Sequence, residues 1–198
     1  MIKNFFVNNA MNLIAQKSTL DDIALQEVKY GIEVVYLNIS KLIVFFTINF
    51  AIGNFLNSLL FLLFYIPIKS FGWGFHAKTS FQCWTLSGLA FVGLPLLVNQ
   101  LYFDIYSKII ICIFFILAMW CWAPADTPKR PLLNPKHRTG LCFGAIITTL
   151  IYSFLIFTTE FTNFIILALL FQTILINPFT YMAFNTQYKN HLYYKKNA

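Results

Sequence analysis

The run Ile105–Trp122, IYSKIIICIFFILAMWCW, contains Lys108 as its one charged residue. A stretch like this matches a hydrocarbon layer about 30 Å thick, which takes about 20 helical residues rising about 1.5 Å each. Phe81–Val98, Leu141–Thr158 and Phe161–Ala183 meet the same criterion. The last is interrupted at Asn177–Pro178, where proline kinks or ends a helix. The whole chain is of one kind: 59% of its 198 residues are hydrophobic and 11% charged, and the mean hydropathy is +0.68. That balance lies well outside the usual range of a soluble domain with a polar surface. The 23 Phe and 10 Tyr suit lipid-facing and interfacial positions. The opening MIKNFFVNNAMNLIAQ lacks a long apolar core followed by a small-residue cleavage site, so a removable signal peptide is not expected.

A fifth apolar run, Leu42–Ile68, reads either as one long tilted helix or as two pieces broken at Gly53–Asn54. Lys and Arg in short loops prefer the cytoplasm. Lys69 and Lys78, then Lys129, Arg130, Lys136 and Arg138, then Lys189, Lys195 and Lys196 mark three cytoplasmic connectors. Asn99–Asp104 and Glu160 mark outward ones, and Lys108 sits where it can snorkel. With Lys3, Lys17, Lys29 and Lys41 also inside, Leu42–Ile68 must enter and leave on one side. A re-entrant hairpin does so, with arms of about 12 to 14 residues that are too short to span upright. A single span would put the N-terminal region outside.

Upstream, STLDDIALQEVKYGIEVVYLNISKL reads as an amphipathic helix capped by Ser18 or Thr19. Asp21 and Asp22 fall in its first turn, and Ile23, Leu25, Val28, Ile32 and Val35 form a stripe. The expected fold is all-α: a polytopic integral membrane protein with four transmembrane helices, a broken or re-entrant 42–68 segment, and N-terminal amphipathic helices. That makes up to six membrane helices in total, in a single membrane domain over 1–198, with a cytoplasmic region 1–41 and a membrane core 42–198. The net charge of +7 fits loops held against an anionic leaflet and calls for no nucleic acid.

Between two apolar runs lies GWGFHAKTSFQC, residues 72–83, with one of three histidines and the first of four cysteines. Thr79-Ser80-Phe81-Gln82 has the pattern of a capping box, predicting a helix start at about Thr79. Cys83 then lies near the positive end of a helix dipole, where a thiolate is favoured. On one continuous helix His76 would stand about 10.5 Å in rise from Cys83, so the helix must stop between them for proton transfer at about 3 Å. Gly72 and Gly74 permit the fold-back. The hypothesis is a Cys–His dyad in which His76 acts as base and then as acid, with Gln82 and the Cys83 N–H as candidate oxyanion donors. The ordinary alternative is an interfacial His beside a packing Cys.

WAPADTPKRPLLNPKHR, residues 122–138, is a proline-rich extended connector expected on the same side as His76. Lys129, Arg130, Lys136 and Arg138 give it a positive surface, whether for topology alone or also for an acidic ligand. Asp126 could pair with that cluster or orient His76. Cys112, Cys121 and Cys142 lie in or beside apolar runs and read as buried small residues. They form neither a disulfide framework nor a metal spacing, and no metal or cofactor is expected.

Together ISKLIVFFTI, GFHAKTSFQC and APADTPKRP resemble the accessory gene regulator protein B (AgrB) family, membrane peptidases of Gram-positive quorum-sensing systems. The resemblance covers most of the chain, the C-terminal third only as hydrophobic text. It implies catalytic roles for His76 and Cys83 and a basic loop at Lys129 and Arg130, where Arg is a mild departure from an all-lysine run. It also implies an AgrD-like propeptide substrate with an amphipathic leader, a central cysteine-containing signal and an acidic tail, cleaved at the cytoplasmic face of the cell membrane to yield a thiolactone. Membrane lipids are the other expected partner, and so much apolar surface is compatible with a homodimer. The rival expectation is a non-catalytic polytopic protein, such as a peptide exporter or assembly partner.

Overall fold

The computed structural model describes residues 2–17, 22–77, 79–128 and 131–194. They form helices α1 (Ile2–Lys17), α2 (Asp22–Ala51), α3 (Phe55–Gly72), α4 (Ser80–Gly88), α5 (Leu94–Leu97), α6 (Ile105–Trp122), α7 (Pro135–Thr158), α8 (Thr162–Ile176), α9 (Pro178–Ala183) and α10 (His191–Tyr194). A π-helical turn, Leu89–Gly93, joins α4 to α5, and a 3-10 turn, Val98–Gln100, follows. Among the described residues five helical stretches are long and apolar enough to cross a membrane: Gly31–Ala51, Phe55–Gly72, Phe81–Gln100, Ile105–Trp122 and Pro135–Thr158. The protein is therefore an all-helical polytopic membrane protein.

The chain divides into two compact units, Met1–Ile48 and Asn49–Ala198. In the first, α1 meets α2 through the rings of Phe6 and Tyr36, 5.8 Å apart, and Val7 is buried. Leu25, Val28 and Ile32 are half-buried, whereas Val35 is exposed. The expected cap at Ser18 or Thr19 and the acidic Asp21 lie outside the described residues.

The break at Gly53–Asn54 is observed: Gly53 takes φ +70 and Asn54 donates its N–H to Asn49 O at 2.7 Å. Its arms, however, are not the short re-entrant pieces expected from the sequence. α2 continues the amphipathic segment without interruption, and α3 runs 18 residues to Gly72. Charged residues had marked false borders. Lys69 lies in the last turn of α3, where its Nζ donates to the C-cap carbonyl, Trp73 O, at 2.8 Å.

In the second unit α8 is the core. Twelve of its 15 residues are buried, as α3, α6 and α7 pack around it. Its rise of about 22 Å falls short of the hydrocarbon thickness, yet α8 is surrounded by protein rather than lipid. Proline ends it at Asn177–Pro178 as the sequence predicts, with Asn177 capping α9. α7 approaches α3 at Gly144, where a Cβ would come within 2.3 Å of Phe71. The outward faces of α6 and α7 are large and apolar, Trp120, Phe143 and Phe154 among them.

A polar knot lies inside this apolar unit. Pro95 has no N–H to offer the carbonyl four residues earlier, that of Phe91. The local shift to π-helix accompanies this, with Leu94 N–H donating to Leu89 O. Two side chains supply the missing donors: Asn49 Nδ2 and Ser58 Oγ each approach Phe91 O at 2.8 Å. Both residues are fully buried, and Asn54 Nδ2 closes the knot on Asn49 Oδ1 at 3.1 Å. An unsatisfied carbonyl in an apolar interior costs about 1–3 kcal/mol. Removing both donors, Asn49→Leu together with Ser58→Ala, is therefore expected to lower stability by at least that amount, and by clearly less in a Pro95→Ala background, where a backbone N–H is restored. Thermal unfolding of the four proteins in one detergent measures the difference, and equal losses in both backgrounds would contradict it.

Candidate active site

α3 ends at Gly72, and the next residues form no regular element until Ser80. Irregular backbone beside a membrane needs partners for each N–H and C=O, and residues 72–75 find them on two neighbours. Trp73 bridges Ala125, with Gly74 N–H donating to Ala125 O at 2.8 Å and Ala125 N–H to Gly72 O at 3.1 Å. Phe75 N–H donates to Leu175 O at 2.8 Å, and Gln172 Nε2 reaches Trp73 O at 2.8 Å. Gly74 sits at φ +116, and a Cβ there would meet Leu175 O at 3.0 Å, so glycine is required on both counts. The Phe75 ring is buried and stacks on Phe184 at 4.7 Å.

His76 follows directly and is exposed. The expected capping box is present: Gln82 N–H donates to Thr79 Oγ1 at 3.2 Å and Thr79 N–H to Gln82 Oε1 at 3.4 Å. Helix thus starts at Ser80, between His76 and Cys83. Cys83 is half-buried, on the first residue whose N–H bonds back into the helix, to Thr79 O at 3.1 Å. That corrects one expectation, since an N–H committed to Thr79 O is not available to an oxyanion. The N–H groups left without an intrahelical acceptor are those of Ser80 and Phe81. Gln82 keeps its amide protons, its oxygen being held by Thr79.

Of the basic residues, Lys129 and Arg130 lie outside the described residues. Lys136 and Arg138 fall in the first turns of α7, which Asn134 caps by accepting from the N–H groups of Lys136 and His137. Lys136 is exposed and Arg138 half-buried.

Asp126 takes a role the sequence does not signal. Only 1% exposed, its carboxylate accepts from Asn190 N–H at 2.8 Å, His191 N–H at 2.9 Å and Leu132 N–H at 3.2 Å. His191 Nδ1 lies 3.2 Å from Oδ2. The C-terminal segment is thereby fastened to the 123–134 connector. Nearby, Tyr188 donates to Trp122 O at 3.4 Å, and burial, with the charge of Asp126 adding to it, pushes its phenol up to about 12. The hydroxyl therefore remains a donor at neutral pH.

Of the three cysteines expected to be buried, Cys112 is, Cys142 is half-buried and Cys121 is exposed at the end of α6. Among the described residues no group of three His, Cys, Asp or Glu could hold a metal ion. Gln172, Asn190 and His191 are the positioning residues that sequence reasoning misses, the first inside an apolar run and the others in a polar tail.

The sequence profile of accessory gene regulator B matches residues 6–176, which include His76, Cys83, Asp126 and Arg138. The chain belongs to the accessory gene regulator B family. An AgrB-like protein of Listeria welshimeri is 31% identical over 172 residues, 85% of this chain and 84% of that protein. Accessory gene regulator protein B of Staphylococcus aureus strain MW2 is 29% identical over 182 residues, 90% and 97% of the two chains. No solved structure matches the chain. Membership assigns the chain to the accessory gene regulator system, and the matched residues run through both connectors that meet at Trp73 and Ala125.

The fastening at Asp126 has a measurable consequence. Asp126→Ala removes the shared acceptor and should raise the rate of trypsin cleavage after Lys189 by about tenfold or more, because charged-acceptor bonds are the strong ones. Asp126→Asn, which keeps one acceptor oxygen, should fall between. An unchanged cleavage rate in Asp126→Ala would show that the segment is held by other means.

Proposed function

We propose that the chain is a membrane cysteine endopeptidase of a quorum-sensing system. It cuts the acidic tail from an AgrD-like propeptide and closes the remaining signal segment into a thiolactone. The observation that carries this reading is the capped start of α4, which begins regular helix between His76 and Cys83 and sets the cysteine one turn inside a helix N-terminus. Helical side chains lean toward the N-terminus, so Sγ leans back over the first turn, where the helix dipole stabilises a thiolate.

In this mechanism His76 accepts the Cys83 proton and the thiolate attacks the scissile carbonyl. The oxyanion is met by donors of the first turn, the N–H groups of Ser80 and Phe81 and the amide of Gln82. Collapse breaks the C–N bond, His76 returns the proton to the departing amine, and an acyl-thioester remains on Cys83. A cysteine of the signal segment, as thiolate, then attacks that thioester. Cys83 leaves as thiolate and a thiolactone is released. No water is consumed. The second step exchanges one thioester for another and is nearly balanced, whereas the first is uphill and is drawn forward by loss of the tail. A site shielded from water protects the intermediate from hydrolysis.

Charge placement supports the orientation. In the second unit Lys69, Lys136, Arg138 and Lys189 lie with the connectors that meet at Trp73 and Asp126. Asp104 and Glu160 lie with the opposite turns, where Asn163 holds the carbonyls of Val98 and Leu101. The basic end belongs in the cytoplasm, as does the site. There an amphipathic leader adsorbed to the leaflet would bring the scissile bond to interface depth and raise its effective concentration. The acidic tail would be drawn to Lys129, Arg130 and Lys136, Arg138 being turned into a separate cavity.

Cys83→Ala is expected to abolish propeptide cleavage while the protein still inserts in the membrane. His76→Gln should lower cleavage by about 10²–10⁴-fold, the range for a general acid–base group. A peptide–Cys83 thioester, trapped when the substrate cysteine is replaced by alanine and seen by mass spectrometry, is the direct check. Undiminished cleavage by Cys83→Ala would leave the chain a non-catalytic member of the assembly.

A further inference from the structure

At the basic end of the second unit a cavity of about 520 Å³ opens between α6, α7 and the segment after α9. That volume lies in the roughly 300–1,000 Å³ range of small-molecule sites. Neither His76 nor Cys83 lines it. Its polar side is formed by Arg138, Lys189 and His191, and its apolar wall by Trp120, Trp122 and Phe143. Trp120 is 69% and Phe143 62% exposed, each on a membrane-crossing helix, so the wall runs on into the surface that faces lipid.

We propose that this cavity binds an anionic phospholipid, with the phosphate between Arg138 and Lys189 and the acyl chains along Trp120 and Phe143. Three observations favour a lipid. The cavity is two-part, cationic at the helix ends and apolar toward the side, which is the division a phospholipid has. A peptide laid against the apolar wall would carry backbone N–H and C=O groups with nothing there to satisfy them, at several kcal/mol in hydrocarbon. Arg138 and Lys189 also have no ion-pair partner among the described residues. The nearby carboxylate, Asp126, is taken up by Leu132, Asn190 and His191.

The tryptophans at the end of α6 fit the headgroup boundary, where indole rings concentrate. Basic pockets at the ends of membrane helices are the usual seats of anionic headgroups. Asp126 turns His191 into position through Nδ1, so the buried carboxylate and the lipid phosphate would hold the same tail segment from two sides. Lipid bound here would brace Lys189–His191 against α7 without taking part in the chemistry at Cys83.

The experiment uses the full-length protein in mixed micelles with phosphatidylglycerol or phosphatidylcholine, retained lipid being read by native mass spectrometry. Phosphatidylglycerol should be retained about tenfold better. Arg138→Gln and Lys189→Gln should each reduce its retention about fivefold, and the pair about twenty-five-fold, at the strength usual for one cation at a leaflet surface. The charge-keeping pair Arg138→Lys with Lys189→Arg should retain most of it. Should the Gln variants fail to fold, the unaltered protein still decides: brominated phosphatidylglycerol must quench tryptophan fluorescence more than brominated phosphatidylcholine. Equal retention or equal quenching of the two lipids overturns the proposal. So does displacement of the lipid by glycerol phosphate at comparable concentration, which would make the site one for a free phosphate. Displacement by an oligoglutamate peptide would likewise assign the cavity to an acidic peptide.

Discussion

The arrangement rests on how a membrane protein can afford a stretch without helix. Where α3 stops, the backbone groups of Gly72 to Phe75 lose their helical partners next to an apolar layer that offers none. The chain satisfies them sideways. Ala125 gives an N–H and a C=O, Leu175 a C=O, and Lys69 and Gln172 both donate to Trp73 O. This is a short exchange of bonds of the kind a sheet makes, built from three segments far apart in sequence. Once residues 72–75 are fixed, His76 emerges from a held base rather than from a loose loop, and α4 can restart at Ser80 under its own cap.

A second constraint acts from the 123–134 connector. Its prolines exclude helix, so its polar groups also need partners, and the buried Asp126 carboxylate supplies an acceptor to three backbone N–H groups. A buried charge is tolerable only when it is surrounded by such donors. Residues 125 and 126 therefore face two ways, Ala125 toward the segment that carries His76 and Asp126 toward the tail that carries Lys189 and His191. The reactive segment and the cationic cavity share this one connector, which gives the basic end of the protein its order.

The sequence spoke most clearly where the physics is local. The span Ile105–Trp122 is read to the residue, the break at Asn177–Pro178 follows from proline, and the capping box at Thr79 follows from four side chains in a row. It was misleading where a charge looked like a border. Lys69 belongs to the last turn of α3, its ammonium taken by the C-cap carbonyl four residues on, so the charge sits just before the helix end rather than beyond it. Asn49 and Ser58 are a matter of tertiary structure, their partner being a carbonyl orphaned by Pro95 more than thirty residues away. Of the site, the helix start beside Cys83 was legible. Gln172, Asp126 and His191 were not, since a Gln in an apolar run and an Asp in a proline-rich loop have no spacing that names their partners.

The cations of the basic end show why charge counting alone is a blunt guide. All of them obey the same rule of topology, yet burial divides their work. Lys69 is spent on a backbone carbonyl and carries structure. Lys136, on the exposed first turn of α7, is open to an approaching acidic chain. Arg138, two residues on, is half-buried and turned into the cavity with Lys189. Helical geometry alone separates Lys136 and Arg138 by about 200°, on nearly opposite faces, so one short run of basic residues can meet a peptide on one side and a lipid headgroup on the other. An exposed cation is screened by salt within about 8–10 Å, and one lining a cavity with apolar walls much less. Raising ionic strength should thus weaken the attraction at Lys136, and at the equally exposed Lys189, well before it loosens whatever anion the half-buried Arg138 holds.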